Sequence, residues 1–108
     1  MTFLDRHYTP TDITAAKPPV VTIVDHGLQN GQRLRATMFI RTPIASATGM
    51  EQLNGEDFVI QQVTANTFEL WDEVSGLPVD GRDYTPFVNN GLAKFTLTGP
   101  TLPYENIA

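Results

Sequence analysis

Asp25-His26-Gly27 is the stretch of this chain whose residue types best suit acid–base work, a histidine beside a carboxylate. A base oriented by a carboxylate is useful only where a nucleophile and a place for developing charge stand close by. The two serines, Ser46 and Ser75, sit in no nucleophile-elbow pattern. Neighbours on a strand also point to opposite faces, which places Asp25 badly for orienting His26. His26 is therefore read as a hydrogen-bonding partner of the turn it forms with Gly27 and Asn30-Gly31. His7, His26 and the nearby acids have neither a paired-histidine zinc spacing nor a calcium-loop pattern, so no metal and no cofactor is expected. The absence of cysteine removes thiolate nucleophiles, disulfides and Cys-type zinc sites together. The expectation is a protein that is not an enzyme.

A chain of 108 residues fits one compact domain with one modest core. Apolar residues make up 41% and charged residues 18%, a globular balance. The formal charge of −5, with only seven basic residues, would repel phosphate backbones and anionic lipid. No nucleic acid and no membrane partner is expected. The first residues, "MTFLDRHYTPTDITAAKPP", have no basic segment followed by an apolar one, and no apolar run is long enough to span a bilayer. The chain reads as soluble and unprocessed.

Asn30-Gly31, Asn54-Gly55, Ser75-Gly76, Asp80-Gly81 and Asn89-Asn90-Gly91 punctuate the sequence at turns, and the runs between them are short and rich in Val, Ile, Thr and Phe. In "RLRATMFIR" Leu34, Ala36, Met38 and Ile40 share one parity, while Arg33, Arg35, Thr37, Phe39 and Arg41 share the other. The first set is expected inward and the second outward. "EDFVIQQV" and "TFELWD", joined through Thr64-Ala65-Asn66, read as an antiparallel hairpin that turns Phe58, Ile60, Phe68 and Leu70 inward. "LAKFTLT" adds Ala93, Phe95 and Leu97, and "VVTIV" adds a strand that Pro18-Pro19 begin. "ATGMEQLNG" is the one place for a helical turn, ended by Asn54-Gly55. The fold expected is all-β, a small barrel of about five or six strands over residues 13–98. Extended arms are expected at 1–12 and 99–108, where prolines and aromatics replace alternation.

Surfaces then become the place to look for function. The outward series Arg33, Arg35, Phe39 and Arg41 is either a contact face or a solvated face neutralised by local carboxylates. Trp71 shares the outward parity of Thr67 and Glu69, so it lies at a contact or at a half-buried edge. The acids Glu51, Glu56, Asp57, Asp72, Glu73, Asp80 and Asp83 gather at expected turns and read as solubility. In the arms, Phe3, Tyr8, Leu102 and Tyr104 are candidates for gripping a neighbour's sheet edge or groove.

One resemblance runs through most of the chain. Val20-Val21-Thr22, His26-Gly27-Leu28, Asn30-Gly31, Gly49-Met50, Leu53-Asn54-Gly55, Phe58 and Thr64-Ala65-Asn66-Thr67-Phe68-Glu69-Leu70 follow one another in the order of a known module. Together they resemble the small β-barrel named after the first catalytic-cysteine half-domain of ubiquitin-activating enzymes, which recurs in structural proteins of tailed bacteriophages. The match spans residues 13–95, departing in the longer "RATMFIRTPIASAT" segment and in "RDYTPFVNNGLAKF", where paired glycines are usual. The ending "GPTLPYENIA" is similar to a segment that follows the module in longer phage tail chains. Ubiquitin chemistry does not carry over, because the chain has no cysteine and no length for an adenylation site.

What the resemblance implies is a virion protein assembled in the host cytoplasm. The first expectation is a capsid decoration or cement protein that docks on the major capsid protein or other virion proteins and forms a homo-oligomer on the particle. The alternatives are a viral tail or head–tail component, or a module that binds a glycan or protein on the host surface.

Overall fold

The computed structural model describes residues 7–41 and 47–99. Seven strands follow in chain order: β1 (His7–Tyr8), β2 (Asp12–Ile13), β3 (Val20–Thr22), β4 (Arg33–Thr37), β5 (Asp57–Gln61), β6 (Thr67–Asp72) and β7 (Lys94–Gly99). Every pairing is antiparallel, and the spatial order is β1-β7-β4-β5-β6-β3-β2. Among the described residues there is no α-helix, only a 3₁₀ turn at Glu51–Leu53 where a helical turn is expected. The protein is all-β, as its alternation requires.

The barrel expectation needs correction. This is one open sheet with β1 at one edge and β2 at the other, not a closed cylinder of five or six strands. The two additional strands begin in the segment 1–12 expected to be an extended arm, β2 running one residue past it: His7 and Tyr8 pair with Thr96 and Phe95, and Asp12 and Ile13 pair with Thr22 and Val21. Edge strands so short cannot carry a ladder further, and Pro10 between them has no N–H to offer one. Because only Thr9-Pro10-Thr11 separate β1 from β2, the sheet must curl until both edges lie within about 14 Å of chain. Pro10 is fully buried in that crossing, and the Thr11 N–H extends the pairing by donating to Thr22 O at 2.9 Å.

Inside the curl lies the core. Val21, Leu34, Ala36, Phe58, Ile60, Phe68, Leu70, Phe95 and Leu97 are buried at alternate positions, so period-two patterning becomes one apolar face. Phe95 packs edge-on against both Phe68 and Phe39, with ring centroids 6.1 and 5.6 Å apart. Each such ring contributes about 1.5–3 kcal/mol by leaving water.

Tyr8 and Phe39, both expected at outer contacts, belong to this core. Tyr8 is carried inward by its place opposite Phe95 in the β1–β7 ladder. For Phe39 the reason is a break in parity: β4 ends at Thr37, and Met38 takes φ +61°, a left-handed conformation that resets the alternation. Met38 is consequently 53% exposed and Phe39 only 4%. The Asn54 carboxamide secures the reset by accepting the Phe39 N–H at 3.0 Å.

Candidate docking face

Backbone groups engage both ring nitrogens of His26. Nδ1 accepts the Leu28 N–H at 2.8 Å, so the proton is on Nε2, which donates to Thr67 O at 3.3 Å. Both nitrogens are thus engaged by backbone, the ring is buried, and its edge meets Phe68 with centroids 5.3 Å apart. Asp25 stands outside, exposed at φ +55°, with its N–H donated to Asn66 Oδ1. The histidine ties the β3–β4 corner to the start of β6.

The outward side of the sheet carries the other candidates. Registers Arg33↔Val59 and Val59↔Trp71 put a cation, an aliphatic side chain and the tryptophan in one row across β4, β5 and β6. Trp71 is half-buried, and its Nε1–H donates to Glu69 Oε1 at 3.1 Å. Arg33 is paired with Glu73 at 3.4 Å. In the neighbouring row Arg35 faces Asp57 and binds it with two nitrogens, at 2.8 and 2.9 Å. The bidentate guanidinium, mainly through its hydrogen bonds, holds the Asp57 carboxyl below the ordinary value and raises its own pKa. Arg41 is exposed but lies outside the ladder, beyond the break at Met38. Arg33, Arg35 and Trp71 therefore share a face, while Phe39 and Tyr8 leave it. Phe3, Leu102 and Tyr104 lie outside the described residues.

Two residues that parity did not single out complete this region. At the tip that follows β6, Val74 is 93% exposed and Leu77 63%. The tip is held by its own bonds: Asp72 N–H donates to Leu77 O, Gly76 N–H to Asp72 O, Val74 N–H to Asp72 Oδ1 and Leu77 N–H to Ser75 Oγ. A bridge between Trp71 and Pro78 ties it to the outward row. The signal was present in "EVSGLP", where two aliphatic residues flank the turn pair Ser75-Gly76. A core does not need apolar side chains at such a place.

Beside the tip is a shallow cleft of about 460 Å³ lined by Glu56, Asp57, Asp72, Leu77, Asp80 and Tyr84, among others. Arg82 grips Asp80 with a bidentate contact of its own, 2.8 and 2.9 Å, and holds that carboxyl well below its usual range. Burial, with Asp80 and Glu56 nearby, pushes the Tyr84 hydroxyl up. The cleft brings together carboxylates and a phenol without a histidine or a free nucleophile–base pair. Among the described residues no three His, Asp or Glu side chains come together to hold a metal ion, and no helix is long and apolar enough to cross a membrane.

Among known proteins, no family model and no curated protein matches this chain.

Proposed function

We propose that this protein is a non-enzymatic structural component of a tailed-phage virion, a capsid decoration protein that docks on the major capsid protein. The Arg33–Val59–Trp71 row and the adjoining Val74/Leu77 tip form the docking face. The phage context rests on the spaced motif from Val20 to Leu70, whose residues fall on β3, the His26 corner, the 3₁₀ turn, β5 and β6. The observation that carries docking is the tip: two large aliphatic side chains stand in water on a turn already fixed by four hydrogen bonds.

Exposed apolar groups of this kind are characteristic of contact sites, and a pre-ordered turn loses little entropy when it is captured. The nearby arginines are neutralised by Glu73 and Asp57, so the face presents planar guanidinium groups without a field that would draw nucleic acid. Repetition on a symmetric lattice, with copies side by side, would multiply a modest single contact.

The test is co-sedimentation with purified phage particles. The double substitution Val74→Asp and Leu77→Asp is expected to keep the folded spectrum and to abolish sedimentation with the particle. Deletion of residues 1–6 leaves Tyr8 and Pro10 in the core and tests docking through that segment separately from this face. Undiminished sedimentation of the double variant sinks the docking face, and saturable binding to a glycan array without particle binding moves the protein to host-surface recognition.

A further inference from the structure

Three Asn-Gly dipeptides punctuate this chain, Asn30-Gly31, Asn54-Gly55 and Asn90-Gly91. All three are chemically prone to the same reaction, because glycine offers no side chain to obstruct attack by its own backbone nitrogen on the preceding carboxamide. The fold treats them differently. The Gly31 N–H donates to Ile60 O at 2.9 Å and the Gly55 N–H to Ala36 O at 2.7 Å, so both prospective nucleophiles are held in backbone pairing. Their asparagine carbonyls are drawn away as well: Asn30 Oδ1 accepts the Val63 N–H and Asn54 Oδ1 the Phe39 N–H, each on a distant segment.

Asn90 has the opposite arrangement. Its Oδ1 accepts the N–H of Leu92, two residues on, at 3.1 Å. That bond keeps the side chain beside its own Asn90–Gly91 peptide, whereas the bonds of Asn30 and Asn54 reach distant segments. The Gly91 N–H donates to no acceptor among the described residues, and both residues are exposed. Gly91 also sits at φ +81°, in a turn that glycine can leave and re-enter at little steric cost.

We infer that Asn90 is a deamidation site built into the folded protein, and that Asn30 and Asn54 are protected by it. Hydroxide takes the Gly91 amide proton, and the nitrogen attacks Asn90 Cγ. The Cγ–Nδ2 bond breaks, and ammonia leaves with a proton from solvent. Water then opens the cyclic imide at either carbonyl, giving aspartate or isoaspartate with no change of oxidation state. The modification adds one negative charge to a chain already at −5. It also deletes the Nδ2–H donor that now reaches Ala47 O at 2.8 Å, releasing a tie between the loop before β7 and the segment leading to the 3₁₀ turn.

The experiment follows the intact protein at mildly alkaline pH by peptide mass spectrometry and isoaspartate detection, beside a sample unfolded in urea. In the folded sample the peptide containing Asn90 is expected to gain one dalton about tenfold faster than those containing Asn30 or Asn54, the factor set by one hydrogen bond of net strength at the upper end of the usual range. In urea the three rates converge. Conversion of Asn30 or Asn54 as fast as Asn90 in the folded sample overturns the inference, as does a preference for Asn90 that persists in urea. Asn90→Gln, one methylene longer, is expected to abolish the early gain in intact mass; an undiminished gain in that variant places the reaction elsewhere.

Discussion

Arg35 and Asp57 stand directly opposite one another on β4 and β5, and their side chains close the pair with two parallel hydrogen bonds. Cross-strand register alone brings a cation and a carboxylate together here, on the solvent side of a sheet whose other side is the core. The pair sets the local charge of the proposed docking face and yields the first prediction.

Asp57 titrates below an ordinary carboxyl because Arg35 stabilises its charged form. The native value being depressed, the stabilisation is fully present above the unfolded carboxyl value of about 3.9 and is lost as pH falls through the native one. Arg35→Met should raise the Asp57 pKa in an NMR titration and flatten the acid side of the stability profile. At neutral pH the midpoint of unfolding should fall by that same amount, a small one because exposed pairs are screened.

Phe39 and Met38 should behave contrary to strand parity. Phe39 lies between Phe87 and Phe95, at 6.3 and 5.6 Å between ring centroids. Phe39→Ala is expected to cost about 3–5 kcal/mol in denaturant unfolding, and Met38→Ala less than about 1 kcal/mol, because the exposed side chain loses little packing and alanine bears the same left-handed strain that Met38 already carries. Met38→Gly, relieved of that strain, should be close to neutral. Equal costs for Phe39→Ala and Met38→Ala would put the break in β4 elsewhere.

Replacing His26 tests its structural role directly. His26→Ala leaves the Leu28 N–H and Thr67 O without their side-chain partner and is expected to destabilise by about 2–4 kcal/mol, the sum of lost bonding and lost packing. Nitrogen NMR of the native protein should show the proton on Nε2. A histidine whose removal left stability unchanged would not be the tie between the corner and β6.

Two glycines separate steric contact from backbone strain. A Cβ on Gly49, at φ +69°, would stand 1.8 Å from Pro86 O, whereas one on Gly76, at φ +74°, meets nothing within 4 Å. Gly76→Ala should therefore cost about 1–2 kcal/mol from conformation alone. Gly49→Ala must also displace backbone, and thermal denaturation should place it well below Gly76→Ala.

The sequence by itself determined the strand class, the inward series and the β5–β6 hairpin. These follow from local facts: side chains alternate every residue, and turns need residues that accept positive φ. It also identified the His26 corner, because the residues that hold a turn lie within a few positions of it. Arg33, Arg35 and Trp71 were legible as outward for the same reason of parity. Parity failed at Met38 and Phe39, where one left-handed residue inside an otherwise regular pattern exchanged the two assignments, and that exchange is stabilised by Asn54 from a distant turn. Only tertiary structure decided that Tyr8 is core, because its partner Phe95 lies near the other end of the chain. That the curled sheet stays open was likewise a non-local matter, since its two edges are short strands joined through Pro10 that do not pair with each other. The proposed docking tip combines both kinds of information: local bonds shape the turn, and that nothing among the described residues covers Val74 is a matter of tertiary structure.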